Sequence, residues 1–252
     1  MFPVLQIGPA ALQTPGLLLL LGVFVGLGLS EHFARRQGRD AEALTNLVLI
    51  VLLSGVVAAR LAYAVTHFSL FRHNPSALVA IDTSLLDPWG GLAGGIIAAL
   101  VYGQRRQLGF WSSLDGLTPL LAVLAVFAGL SHMASGQAYG APTSLPWGIP
   151  LWGARRQPSQ VYETLGAVAV LAALWRQFSR SAGSGRLFLR FAALSSGMFV
   201  FLQAFRGDSP ATLAGFRPGQ LLGLAGLGLA LILLEIRSRP GRFTAEESPS
   251  IQ

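Results

Sequence analysis

The run Arg155-Arg156-Gln157-Pro158-Ser159-Gln160-Val161-Tyr162-Glu163 opens directly onto the apolar stretch Leu165–Trp175. Guanidinium, amide, hydroxyl and carboxylate groups are costly at the mouth of a membrane span. They normally face a bundle interior or a wet cavity and mark a site. Guanidinium forks match phosphate oxygens bidentately, so Arg156, with Arg206 and the intramembrane Arg60, suits a phospholipid headgroup. Arg155 is read as unspecific attraction to anionic lipid. Two residues could handle a proton: Glu163, just inside its span, and His132, whose imidazole is the natural acceptor near neutral pH. Each has a plainer role beside this one. Arg60 can snorkel or pair with Glu163, Glu163 can order a helix start, and His132 can be a hydrogen-bonded helix-end residue. His32, His67 and His73 show no partner pattern.

The elements that must position these groups follow from composition. Of 252 residues, 52% are hydrophobic and only 12% charged, about half the charged share of a soluble domain. Seven apolar runs are read as membrane helices, at roughly 15–31, 44–66, 90–103, 114–132, 159–176, 187–205 and 218–236. The expected fold is therefore an all-α integral membrane protein. The third run is short and rich in glycine (Gly90, Gly91, Gly94, Gly95), which suits close helix packing or a non-helical start. Asp115 reads as a first-turn carboxylate at a helix N-terminus. Gly16–Leu29 lacks a basic segment before it and a small-residue cleavage pattern after it, so a first span is expected there and not a removed signal peptide.

The net charge of +7 arises without lysine. Twelve arginines (35, 36, 39, 105, 106, 176, 180, 186, 190, 237, 239 and 242) fall in one set of loops, against five (72, 155, 156, 206 and 217) in the other. The positive-inside rule then puts the N-terminus outside and the C-terminus in the cytoplasm. Basic residues dispersed in short loops are not a nucleic-acid-binding face. The absence of cysteine excludes disulfides, thiol catalysis and thiolate metal sites. Neither a metal nor a cofactor is expected. One membrane domain is read over 1–237, followed by a polar tail over 238–252 that is expected to be disordered.

The chain resembles the bacterial prolipoprotein diacylglyceryl transferases over nearly its whole length. Arg156-Gln157-Pro158-Ser159-Gln160-Val161-Tyr162-Glu163 is similar to that family's Arg-His-Pro-Ser-Gln-Leu-Tyr-Glu. Tyr139-Gly140 with Leu145-Pro146-Trp147 matches the stretch before it, and Arg60-Leu61-Ala62-Tyr63 resembles a second-span Arg-x-Gly-Tyr. Gly90-Gly91-Leu92-Ala93-Gly94, Phe205-Arg206-Gly207-Asp208 and Gly219-Gln220 resemble the remaining elements. The resemblance implies transfer of diacylglyceryl from phosphatidylglycerol to the lipobox cysteine of a secreted lipoprotein precursor, at the outer face of the bacterial inner membrane. It implies substrate contacts from Arg60, Tyr63, Gly140, Arg156, Ser159, Gln160, Tyr162 and Arg206, with His132 or Glu163 on the proton.

Several positions depart from the family's pattern. Trp89 stands at a histidine, Gly129 at an arginine, His132 at an asparagine and Gln137 at a glutamate. Pro15 replaces a tyrosine, Gln157 a histidine, and Phe199 and Gln203 an arginine and a glutamate. Lost site groups commonly cost several kcal/mol each. An alternative is thus a catalytically silent homologue that binds phospholipid or lipoprotein precursor. A third reading, a small-solute transporter, lacks the internal repeats such proteins show. The arginine asymmetry predicts that reporter fusions after Arg106, Arg180 and Arg239 read cytoplasmic, and fusions near Thr143 and Ser209 read external. A cytoplasmic signal at Thr143 would overturn the orientation.

Overall fold

A computed structural model describes residues 4–7, 10–73, 85–180, 183–209 and 215–238. A short hairpin, β1 (Val4–Ile7) and β2 (Ala10–Gln13), leads into α1 (Thr14–Arg36), α2 (Ala41–Thr66), the single short helix α3 (Phe68–His73), α4 (Pro88–Arg105) and α5 (Phe110–Ser135). A second hairpin, β3 (Ile149–Leu151) and β4 (Ala154–Arg156), precedes α6 (Ser159–Phe178), α7 (Arg186–Gln203) and α8 (Pro218–Ser238). The seven long helices fall on the seven apolar runs, and the two antiparallel hairpins qualify the all-α expectation. Among the described residues, five helices (α1, α2, α5, α7 and α8) are long and apolar enough to cross a membrane. Residues 239–252 of the expected tail lie outside the described residues.

The glycine-rich run is helical from Pro88 onward, so the non-helical start does not occur. Proline presets φ at the first helical position, and the Asp87 carboxylate accepts the Gly90 N–H at 2.5 Å. The glycines serve packing. A Cβ at Gly90 or Gly94 would overlap the methyl groups of Ala62 and Ala58 on α2, which fixes an intimate antiparallel α2–α4 pair.

Polarity runs inside out relative to a soluble protein. Leu20 and Phe24 are 65% and 78% exposed, whereas Ser30, Asp115, Thr118, Gln160 and Gln203 are buried. Such a surface is stable only against lipid. The central pair, α1 and α5, is pinned near both ends. Ser30 Oγ accepts the Leu120 N–H at 3.0 Å beside Pro119, which deprives α5 of one donor, and Ser131 Oγ donates to the Pro15 carbonyl at 3.1 Å. The α6 helix packs on α5 and α7, and α8 packs on α7. The α2–α4 pair joins this bundle through the first half of α2, where Ala41, Ala43, Leu44, Leu47 and Val48 are buried.

Asp115 does not cap its own helix. It lies in the second turn of α5 and reaches across to α7, accepting the Gly185 N–H at 2.8 Å and the Phe188 N–H at 2.9 Å. Two of the four donors that a helix start leaves open are met by a carboxylate only 2% exposed. Arg39 lies nearby and donates to the Ser112 carbonyl at 2.9 Å; burial lowers its guanidinium pKa, and Asp115 partly offsets that. Asp115→Ala should therefore cost about 2–3 kcal/mol, read as a lower unfolding midpoint in detergent. Asp115→Asn, which keeps one acceptor, should cost less. An unchanged midpoint for Asp115→Ala would remove the cap from the account.

Candidate active site at one end of helices α5 to α7

Three chain segments converge beyond the C-terminal end of α5. Residues 139–143 run between 155–157 on one side and 205–207 on the other, as an irregular extension of the β3–β4 hairpin. The pairing is made by Gln157 N–H to Ala141 O at 3.0 Å, Thr143 N–H to Arg155 O at 2.9 Å, Ala141 N–H to Phe205 O at 2.8 Å and Gly207 N–H to Tyr139 O at 2.8 Å. Bridges pair Pro142 with Arg156 and Gly140 with Arg206, so the two arginines flank one strand-like segment. Gly140 is required by closeness, since a Cβ there would collide with the Gln157 carbonyl. The loop is held further by Arg155, which donates to Gly148 O at 3.1 Å and Pro146 O at 2.6 Å.

Beneath this cap, His132 of α5 and Glu163 of α6 form a pair, Nδ1 to Oε2 at 2.9 Å, with side chains 31% and 23% exposed. With Nδ1 donating to the carboxylate, the imidazole is oriented and Nε2 is its acceptor nitrogen. Glu163 lines a small cavity of about 40 Å³ with Ser159, Phe199, Gln203 and Arg206. Arg206 makes a two-pronged contact with Asp208, Nε to Oδ1 at 2.9 Å and Nη2 to Oδ2 at 2.7 Å. Those hydrogen bonds are the main cause of its raised pKa; burial opposes them, and Asp208 and Glu163 add attraction. The same bonds hold the Asp208 carboxyl below its usual 3.8, against burial and aided by the Arg206 and Arg217 charges.

The other expected residues divide into four groups. Ser159 Oγ donates to Ala138 O at 2.5 Å and Gln160 Nε2 to Gln137 O at 2.9 Å, locking the start of α6 to the loop behind α5. Tyr162 accepts the Trp147 indole N–H at 2.8 Å and meets Phe205 edge to face. Arg156 donates from Nε to Leu151 O at 3.1 Å and from Nη1 to Gly140 O at 3.4 Å, and stands 4.8 Å from the Tyr139 ring centre. Arg60 and Tyr63 belong to the α2–α4 pair, where Arg60 Nη1 donates to Leu85 O at 3.3 Å and Tyr63 stacks on His67. Glu163 thus takes His132 as its ion-pair partner, not Arg60.

Sequence reasoning missed three features. Asp208, not Glu163, is the carboxylate that holds Arg206, and the separation of the two by one residue was the available signal. Arg217 donates to the carbonyls of Gln203 (2.5 Å) and Arg206, closing the end of α7. Trp147 as a partner of Tyr162 had no local signal, because the two are 15 residues apart.

The departures from the family pattern also acquire places. Gly129 is buried against Thr164, so close that a Cβ would strike the Thr164 hydroxyl. The loss of a long side chain at 129 lets α5 and α6 touch, and the histidine one turn later reaches Glu163 across the contact. Phe199 and Gln203 both line the cavity, and the buried Gln203 Oε1 has no protein partner among the described residues. Trp89 lies at the start of α4 and is 77% exposed.

The Asp208 link makes an acid-dependence prediction. A carboxyl whose folded pKa lies below its unfolded value stabilises the fold above the unfolded value and loses that contribution as pH falls. Stability should thus drop below about pH 4, and less steeply in Asp208→Asn than in the wild type. Equal acid profiles would mean the pair does not support the fold.

Comparison with known proteins points to one family. The sequence model of the prolipoprotein diacylglyceryl transferase family matches residues 3–236. A phosphatidylglycerol–prolipoprotein diacylglyceryl transferase from a Nostoc species is 31% identical, covering 94% of this chain and 91% of its own length. One from Trichormus variabilis is 30% identical with the same coverage, and one from Clostridioides difficile is 26% identical over 84% and 85%. With seven long helices in the expected places and the arginine-to-glutamate motif gathered at one end of the bundle, the chain belongs to the prolipoprotein diacylglyceryl transferase family.

Proposed function

We propose that this protein transfers a diacylglyceryl group from phosphatidylglycerol to the cysteine thiol of a lipoprotein precursor, at the outer face of the bacterial cytoplasmic membrane. All seven long helices span, with the N-terminus outside and the C-terminus in the cytoplasm, and the loop sheet over α5–α7 faces outward. The observation that carries the catalytic reading is the His132–Glu163 pair beside Arg206. A structural strut would need neither a part-exposed imidazole nor an adjoining cavity that gathers Ser159, Gln203 and Arg206.

In this reading the arginines hold the lipid phosphate. Arg206 offers Nη1, since its other two nitrogens are bound to Asp208. Arg156 and Arg60 supply further donors, and the Gln203 amide oxygen accepts a hydroxyl of the headgroup glycerol. Gly140, Ser159, Gln160 and Tyr162 keep the loop and the start of α6 in register, and Tyr63 lines the lipid side. His132 Nε2 takes the proton of the acceptor thiol while Glu163 holds Nδ1–H and stabilises the imidazolium. The thiolate sulfur attacks the glyceryl carbon of the diacylglyceryl group bonded to the phosphate oxygen. The C–S bond forms as the C–O bond breaks, and glycerol phosphate leaves with the electron pair, its charge met by the arginines. The new thioether carries the diacylglyceryl group, and the proton on His132 passes to solvent.

The test uses the purified full chain in phosphatidylglycerol-containing micelles, with a synthetic lipobox peptide followed by mass spectrometry. The wild type should add one diacylglyceryl group to the cysteine peptide and none to its serine analogue. His132→Asn, which installs the residue implied by the family resemblance, and Glu163→Gln should each slow transfer by about 10²-fold or more. Retention of phosphatidylglycerol without any transfer would favour the silent-homologue reading. Full activity in His132→Asn would remove histidine as the base.

A further inference from the structure

At the opposite end of α6 from Glu163, about 25 Å along the helix axis, α1 and α6 meet through an aromatic cluster. Phe33 lies 5.9 Å from Trp175 and 5.4 Å from Phe178 between ring centres, and Gln37 donates to the Phe178 carbonyl. This junction walls a cavity of about 520 Å³, whose lining combines Leu29, Phe33 and Trp175 with His32, Arg36, Arg176, Ser179 and Arg180. Among the described residues none of these three arginines has a hydrogen bond or ion pair from its side chain, and no carboxylate lines the cavity. Trp175 and Arg176 are shared with a second cavity of about 420 Å³ that is otherwise apolar, bounded by Val168, Leu171, Ala172 and Ala173. The lining residues thus run from a cationic rim at the end of α6 to an aliphatic groove one to two turns nearer the bilayer centre.

We propose that this junction is a second lipid site, which holds an anionic phospholipid of the leaflet opposite the transfer site. Its phosphate sits among Arg36, Arg176 and Arg180, and an acyl chain lies along Trp175, Leu171 and Val168. The chemistry selects this class. Three guanidinium groups that have no ion-pair partner among the described residues favour a net negative headgroup over a zwitterionic one. The adjoining groove favours a chain-bearing ligand over a soluble phosphate. The lipid would join the ends of α1 and α6, so its role is to brace the bundle, and the inference is independent of the transfer chemistry.

The protein and its Trp175→Phe variant are placed in phosphatidylcholine nanodiscs containing a minor fraction of either phosphatidylglycerol or phosphatidylcholine brominated on its acyl chains. The difference in fluorescence between the two proteins isolates Trp175. Brominated phosphatidylglycerol should quench Trp175 at a mole fraction about tenfold lower than brominated phosphatidylcholine does. Arg36→Gln/Arg176→Gln/Arg180→Gln should abolish the preference, and added glycerol phosphate should not reverse the quenching. Equal quenching by both lipids, or an unchanged preference in the triple variant, overturns the proposal. Reversal by glycerol phosphate overturns it in favour of a soluble anion. If the triple variant does not fold, Arg176→Gln alone must weaken the preference, and a preference unaffected by that change is equally fatal.

Discussion

Lipid offers helices no hydrophobic reward for touching one another, since acyl chains are as apolar as leucine. Contact between helices must then come from close backbone approach and from a few polar bonds, and this constraint orders the whole molecule. Glycine and alanine bring α4 onto α2, Gly129 brings α6 onto α5, and serine hydroxyls tie α1 to α5. Asp115 gives α7 its first turn from a neighbouring helix. Leucine and phenylalanine, the core residues of a soluble bundle, are spent largely on the outside.

The candidate site exploits the same economy at the ends of the helices. Backbone beyond α5 cannot stay unpaired near a bilayer, so residues 139–143 find partners in the segments before α6 and after α7. That pairing sets Arg156 and Arg206 on either side of one strand-like segment, above the His132–Glu163 pair. The local carbonyls and Asp208 occupy much of each guanidinium, which orients the arginines before any lipid arrives and leaves limited donor capacity for it. In the proposed reaction such a rigid arrangement would favour charge developing on a departing phosphate, because no reorganisation is needed when it appears.

Gly129 and His132 are best understood together. An arginine at 129 could not be housed where Thr164 now lies, and a histidine at 132 would have no carboxylate within reach if α5 and α6 stood further apart. The two departures therefore meet at one helix contact, in which an imidazole is the partner of Glu163. Seen singly in the sequence, each suggested a lost function; in the fold they are coupled.

Hydropathy by itself determined the seven long helices, because a run of apolar residues about 20 long has few alternatives in a bilayer. The motif from Arg156 to Glu163 was legible for a related reason: polar groups at that depth are improbable unless they are used. The sequence could not decide which side chains meet. Glu163 had Arg60 as its expected partner, and only the close α5–α6 contact at Gly129 brings the histidine to it instead. Asp115 carried the mark of a helix cap but not the identity of the helix, since its donors are 70 and 73 residues away. The small hairpins were invisible to a hydropathy reading, as their strands are only three or four residues long, and Pro142 extends the second one from outside it. Periodicity and polarity are local properties that the chain displays unfolded. Partner choice depends on the distance between helices, which small residues set only once the bundle has formed.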